Sequence, residues 1–342
     1  MIEPSGREIE VFPARPALTP AFSPGPTVID LRVRLGRLSL PNPVLVASGT
    51  FGYVRELAPF VHVERLGALV PKTVTARPRA GNPTPRTVET ASGLLNAIGL
   101  DNDGIDHFLL HHLPYLRTIA APLIVNVAGE DEDGFVALAH QAGSAEGVAA
   151  VELNLSCPNV SHGLDLGIDP AAVFRVVERC RAACPVPIIA KLTPNVTDVV
   201  AVARAAADAG ADAVSLINTF RGMAIDWRRR RPILANDIGG LSGPAIKPLA
   251  LRIVWEVARA LPSLPIIGIG GIQDADDALE FLVAGASAIQ VGTATFANPT
   301  AAETVLDQLI ARLDEAGVAS VSEIIGSLTS NVARRAAGAS SH

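Results

Sequence analysis

From Leu31 onward the chain repeats one unit: a short aliphatic run ending on a polar residue or glycine, then a longer stretch with apolar residues three and four apart. The runs are PVLVASG (43–49), ALVPKTV (68–74), PLIVNVAG (122–129), AAVELNLSC (149–157), PIIAKLT (187–193), AVSLINT (213–219), PIIGIGG (265–271) and AIQVGTA (288–294). Near-continuous apolar character marks strands buried on both faces. Such strands alternating with helices predict an α/β fold with a parallel sheet and right-handed crossovers, closed as a (β/α)8 TIM barrel. The intervening helices are legible in PAAVFRVVERCRAAC, DVVAVARAAADAGA and DADDALEFLVAGA, each opening on proline or an acidic residue. LRVRLGRLSL (31–40) alternates like a β-hairpin that plugs the bottom of the barrel. The alternative is an open doubly wound sheet. No G-x-G-x-x-G follows the first strand, however, and GIGGIQ (268–273) ends on Gln273 where that fingerprint needs glycine.

Residues 1–27 have six prolines by position 26 and no period, and read as a flexible or surface-lying extension before a barrel spanning 28–342. A net charge of -6 and 4% aromatic residues give neither the electrostatic footprint nor the stacking platforms that nucleic acid requires. No signal-like or membrane-spanning apolar stretch occurs, so a soluble cytoplasmic chain is expected. Three cysteines close no disulfide framework and cannot alone ligate an iron–sulfur cluster. Cys180 and Cys184 lie four apart on one helix and read as core or helix-surface residues; no metal site is expected.

In such a barrel, function sits at the carboxyl ends of the strands. Those ends carry Ser48, Lys72, Thr73, Asn126, Asn154, Cys157, Lys191, Thr193, Asn218, Thr219, Gly270, Gly271, Gly292 and Thr293. A cap explains any one of these, but a whole polar ring is best explained by a polar ligand, because unmet buried amides and ammonium groups are costly. Glycines ending the last two strands suit a phosphate, or else tight strand–helix packing. Lys191 suits a flavin edge, a phosphate or a Schiff base. Cys157 in NLSCPNV is followed by proline, which forces a turn and lifts the thiol toward the cavity, the alternative being a small buried hydrophobe.

The motifs SGTFG (48–52), KTVT (72–75), GNPTPR (81–86), LLNAIGLDN (94–102), VNVAG (125–129), ELNLSCPNV (152–160), KLTPNVTD (191–198), INTFRGMAID (217–226), GGLSGPAIKP (239–248), GIGGI (268–272) and VGTA (291–294) follow one another in order. Together they resemble class 1 dihydroorotate dehydrogenase, from about Leu31 to SEIIGSL (322–328). The resemblance implies an FMN-dependent barrel that oxidises dihydroorotate to orotate in pyrimidine synthesis. It makes Cys157 the base that removes the C5 proton. It assigns Lys72, Asn96, Ala97, Ile98, Gly99, Leu100, Asn154, Asn159, Asn218 and Thr219 to the substrate. To FMN it assigns Ala47, Ser48, Lys72, Thr73, Asn126, Asn154, Lys191, Ile217, Gly243, Gly270, Gly271, Gly292 and Thr293.

NAIGL resembles the class 1B form, which implies a separate subunit carrying FAD and a [2Fe–2S] cluster that passes electrons to NAD, in a heterotetramer or around a homodimer of barrels. The alternatives are the fumarate-using class 1A enzyme, a flavin barrel acting on another dihydropyrimidine, and a non-catalytic binding barrel. Asp103, where the family commonly has proline, LDLGI (164–168) and the N-terminal extension depart from the pattern. Arg228 to Arg231 read as a solvated loop or a patch for an acidic partner, and His107, His111 and His112 as residues of an exposed helix.

Overall fold

The computed structural model describes residues 29–156 and 166–331; Cys157, Asn159 and the Pro-rich start lie outside them. The chain opens with β1 (Val33–Leu35) and β2 (Leu38–Leu40), paired antiparallel. There follow β3 (Val44–Val46), β4 (Thr87–Thr90), β5 (Gly93–Asn96), β6 (Leu123–Val127), β7 (Val148–Asn154), β8 (Ile188–Lys191) and β9 (Ala213–Leu216). The last six are β10 (Phe220–Gly222), β11 (Ile225–Asp226), β12 (Arg231–Pro232), β13 (Gly239–Ser242), β14 (Ile266–Ile269) and β15 (Ala288–Val291).

A seven-stranded sheet runs β3-β15-β14-β9-β8-β7-β6, every pair parallel. Residues 68–74 close it into the barrel, but as separate bridges rather than the continuous strand the sequence suggests: Ala68 meets Leu45, Leu69 meets Leu123 and Val74 meets Val127. Pro71 interrupts this run and has no N–H to give a ladder. The barrel strands are almost wholly buried, as expected where helices cover the outside and side chains fill the inside.

Helices 132–143, 170–183, 199–208 and 275–284 all begin on aspartate: Asp131, Asp169, Asp198 and Asp274 each accept a hydrogen bond from a first-turn N–H. The hairpin lies where the sequence places it. Arg37 forks onto Asp212 (2.9 Å to each oxygen) and donates to the carbonyls of Pro185 and Val186, just before β9 and β8 begin. Cys180 and Cys184 are buried, and desolvation pushes the Cys180 thiol up to about 12.

At the other end stands a sheet the strand pattern does not show, β10-β13-β5-β4, antiparallel throughout. It is built from loop insertions after the second and sixth strand positions. Residues 227–230 form the turn from β11 to β12, and Arg228 to Arg231 are exposed, as is Trp227 at 71%.

Candidate active site

At the carboxyl ends of the barrel strands, roofed in part by the four-stranded sheet, is a cavity of about 1140 Å³. That exceeds the roughly 300–1,000 Å³ of a pocket for one small ligand, and leaves room for a cofactor and a substrate together.

Its floor is a polar knot inside the barrel. Glu152, fully buried on β7, accepts from Asn126 Nδ2 (2.6 Å), Ser215 Oγ (2.5 Å) and Gln290 Nε2 (3.0 Å), contributed by β6, β9 and β15. Lys191 Nζ stands 3.9 Å from Glu152 Oε2 and reaches the cavity from the end of β8. Register explains the convergence: Asn126 lies opposite Glu152, Asn154 opposite Lys191, and Lys191 opposite Ser215. Two acceptors in the knot, Asn126 Oδ1 and Gln290 Oε1, are buried without a donor.

The rim is looser. Ser48 Oγ donates to the Pro71 carbonyl (2.8 Å) and lies 3.1 Å from Thr73 Oγ1. Asn218 Nδ2 donates to Asn154 Oδ1 (3.1 Å), and Asn96 Nδ2 to the Gly240 carbonyl (3.2 Å). Lys72 lines the cavity with no carboxylate at ion-pair distance among the described residues. Burial holds its ammonium below the ordinary lysine pKa, with Asp101 opposing that shift and Arg86 adding to it.

Just past β13 and β14, Gly243, Gly270 and Gly271 take φ of 94°, 136° and 77°, and a Cβ on Gly271 would stand 2.9 Å from the Gly243 carbonyl oxygen. Only glycine lets these two loops touch there. The N–H groups of Gly271, Gly292 and Thr293 meet no acceptor among the described residues, which leaves a cradle of donors suited to an anion.

The structure therefore brings together in one cavity Ala47, Ser48, Lys72, Thr73, Asn96 to Leu100, Asn154, Lys191, Ile217, Asn218, Thr219, Gly243, Gly270, Gly271, Gly292 and Thr293. Asn126 departs from expectation. It does not line the cavity but lies below it, its side chain turned into the knot by Glu152. Cys157 and Asn159 fall outside the described residues, although Ser156, next to the cysteine in the chain, lines the cavity. Glu152, Ser215 and Gln290 are missing from the sequence reading. Their signal was present: each is a polar residue in the middle of an otherwise apolar strand run.

The residues fit FMN on two counts: donors without acceptors at the glycines, and a volume for two ligands. Fold and site together define a (β/α)8-barrel enzyme whose cavity faces the carboxyl ends of its strands. The family model for dihydroorotate dehydrogenase matches residues 30–313, and the chain belongs to that family. It is 54% identical over 300 residues to the "Dihydroorotate dehydrogenase B (NAD(+)), catalytic subunit" of Geotalea uraniireducens, covering 87% of this chain and 98% of that protein. The proteins of the same description from Pelobacter propionicus and Geobacter sulfurreducens are also 54% identical, with the same coverage.

Proposed function

We propose that this chain oxidises dihydroorotate to orotate with FMN bound in the cavity, as the catalytic subunit of an NAD-linked enzyme. The observation that supports this most is one cavity holding both an anion cradle and a lysine with no paired carboxylate among the described residues. When bound, FMN supplies the acceptor for the hydride from C6 of the substrate. Gly243, Gly270, Gly271, Gly292 and Thr293 would hold its phosphate, while Ala47, Ser48, Thr73, Ile217 and Lys191 would surround its ring, with Asn126 beneath them in the knot.

Lys72 would meet the substrate carboxylate. Asn96, Asn154, Asn159, Asn218 and Thr219 would read the donors and acceptors of the pyrimidine ring, with Ala97 to Leu100 closing over it. Cys157 would take the C5 proton as base. Electrons would leave through a partner subunit carrying FAD and a [2Fe–2S] cluster, since three cysteines cannot hold a cluster on this chain. The relatives' description as a catalytic subunit supports such a partner, and we place the barrel in a homodimer or a heterotetramer. No helix among the described residues is long and apolar enough to cross a membrane, and we place the reaction in the cytoplasm.

The test is Cys157→Ser in the purified, flavin-loaded chain. Anaerobic bleaching by dihydroorotate is expected to slow by about 10²-fold or more at neutral pH and to recover in part in alkali, because a hydroxyl is a weaker base than a thiolate. Bleaching at the wild-type rate would remove Cys157 from the reaction.

A further inference from the structure

Behind the substrate loop, the chain leaves Asn102 through Asp103 and enters a helical segment that is not uniformly α. Residues Ile105–His107 are α-helical, Phe108–His112 form a π-helical turn, and Leu113–Leu116 return to α. The expectation of an exposed helix holds for two of the three histidines. His107 and His111 are exposed, but His112 is half-buried, its ring stacked on Tyr53 at 3.8 Å between centroids.

The π turn has a geometric consequence. In a regular α-helix, residues five apart diverge by about 140° around the axis. A π turn bonds i to i+5 and brings them back to one face, and such turns recur at functional sites. Here it puts His107 and His112 side by side, with Asp103 one turn before His107. Asp103 Oδ2 is 3.7 Å from both His107 Nδ1 and His112 Nε2, and the three donor atoms lie within 4.8 Å of one another. Ligands about 2.0–2.1 Å from a tetrahedral ion stand about 3.4 Å apart, so a small inward movement completes the set. His112 Nε2 is buried and has no hydrogen-bond partner.

From this cluster we infer a divalent-metal site formed by Asp103, His107 and His112. Two imidazoles and one carboxylate suit Zn²⁺, Co²⁺ or Ni²⁺ rather than Mg²⁺ or Ca²⁺, which prefer all-oxygen shells. The remaining coordination position opens to solvent, since Asp103 and His107 are 59% and 44% exposed. An ion here clips the segment that follows the substrate loop to the helix. The buried Asn102 next to Asp103 ties the loop in turn, accepting from Thr75 N and Gly104 N and donating to the Leu100 carbonyl.

The experiment is a Co²⁺ titration of the full-length chain, stripped of metal with chelator and followed by visible d–d absorption. One Co²⁺ per chain is expected, displaced by Zn²⁺ and without a thiolate charge-transfer band. Asp103→Asn and His107→Gln alter exposed side chains and leave the fold intact; each is expected to weaken binding about tenfold or more. His112→Gln is expected to do the same, while His62→Gln and His140→Gln leave binding unchanged. No saturable Co²⁺ binding, binding insensitive to Asp103→Asn and His107→Gln, or a thiolate band would overturn the proposal.

Discussion

The floor and the rim of the cavity each present a lysine, and their surroundings hold the two in opposite ways. Lys191 lies 3.9 Å from a fully buried glutamate that residues of three other barrel strands also bind. Lys72 has no such partner among the described residues, and burial already works against its charge. The floor thus has its charges paired before any ligand arrives, whereas the rim keeps an electrostatic deficit that an anion relieves. A pre-paired cation gives a rigid surface for a resident group; an unpaired one gives affinity for a carboxylate that comes and goes.

The sharpest way to break this contrast is Glu152→Leu. It strands Lys191 and removes the acceptor of three hydrogen bonds, so a loss of about 3–5 kcal/mol in unfolding free energy is expected, with flavin content falling in parallel. Unchanged thermal unfolding and a yellow protein would show that the knot is not a unit.

Lys72→Met tests the other half. The ligand-free fold is expected to keep its stability within about 1 kcal/mol, because a partly desolvated charge is exchanged for an apolar side chain. KM for dihydroorotate should rise about 10- to 100-fold for the loss of one charge-assisted contact. A large drop in stability would mean that Lys72 is structural.

The pH dependence follows from the same residue. Its folded pKa lies below the ordinary 10.5, so the unfolded chain binds that proton more tightly. Between the folded value and 10.5, ligand-free stability therefore rises with pH. Orotate affinity behaves oppositely: full while the ammonium persists, it falls as pH rises through the folded value. Titration calorimetry across that range should show the decline in the wild type and not in Lys72→Met.

The smallest effect is expected away from both regions. Asp198→Ala removes the cap of helix 199–208 and should cost about 1 kcal/mol of stability, with the kinetics unaltered.

Much of this organisation was legible in the sequence, for a physical reason. Strands covered on both faces must be apolar nearly throughout, so the barrel's march and the polar residues at its strand ends stand out, down to Lys72, Asn154 and Lys191. The helix starts at Asp198 and Asp274 are equally local signals. The run 68–74 was harder because Pro71 breaks the ladder without breaking the apolar pattern. The four-stranded sheet over the cavity was hidden for a related reason. Its strands are short, half-exposed and rich in glycine, and they pair across long sequence separations, as when Leu241 meets Leu95. Glu152 is not legible in the sequence because its meaning depends on Asn126, Ser215 and Gln290, which only the register of the closed barrel brings together. His112 depended on a π turn that no hydrophobic period reveals.

The most direct measurement is anaerobic reduction of the flavin-loaded chain by dihydroorotate and, separately, by dihydrouracil, which lacks the carboxylate, in wild type and Lys72→Met. The account expects dihydroorotate to bleach the wild-type protein, dihydrouracil to do so poorly, and the variant to lose most of that preference. A chain that takes up no flavin, or one that both substrates reduce equally well before the substitution, would contradict it.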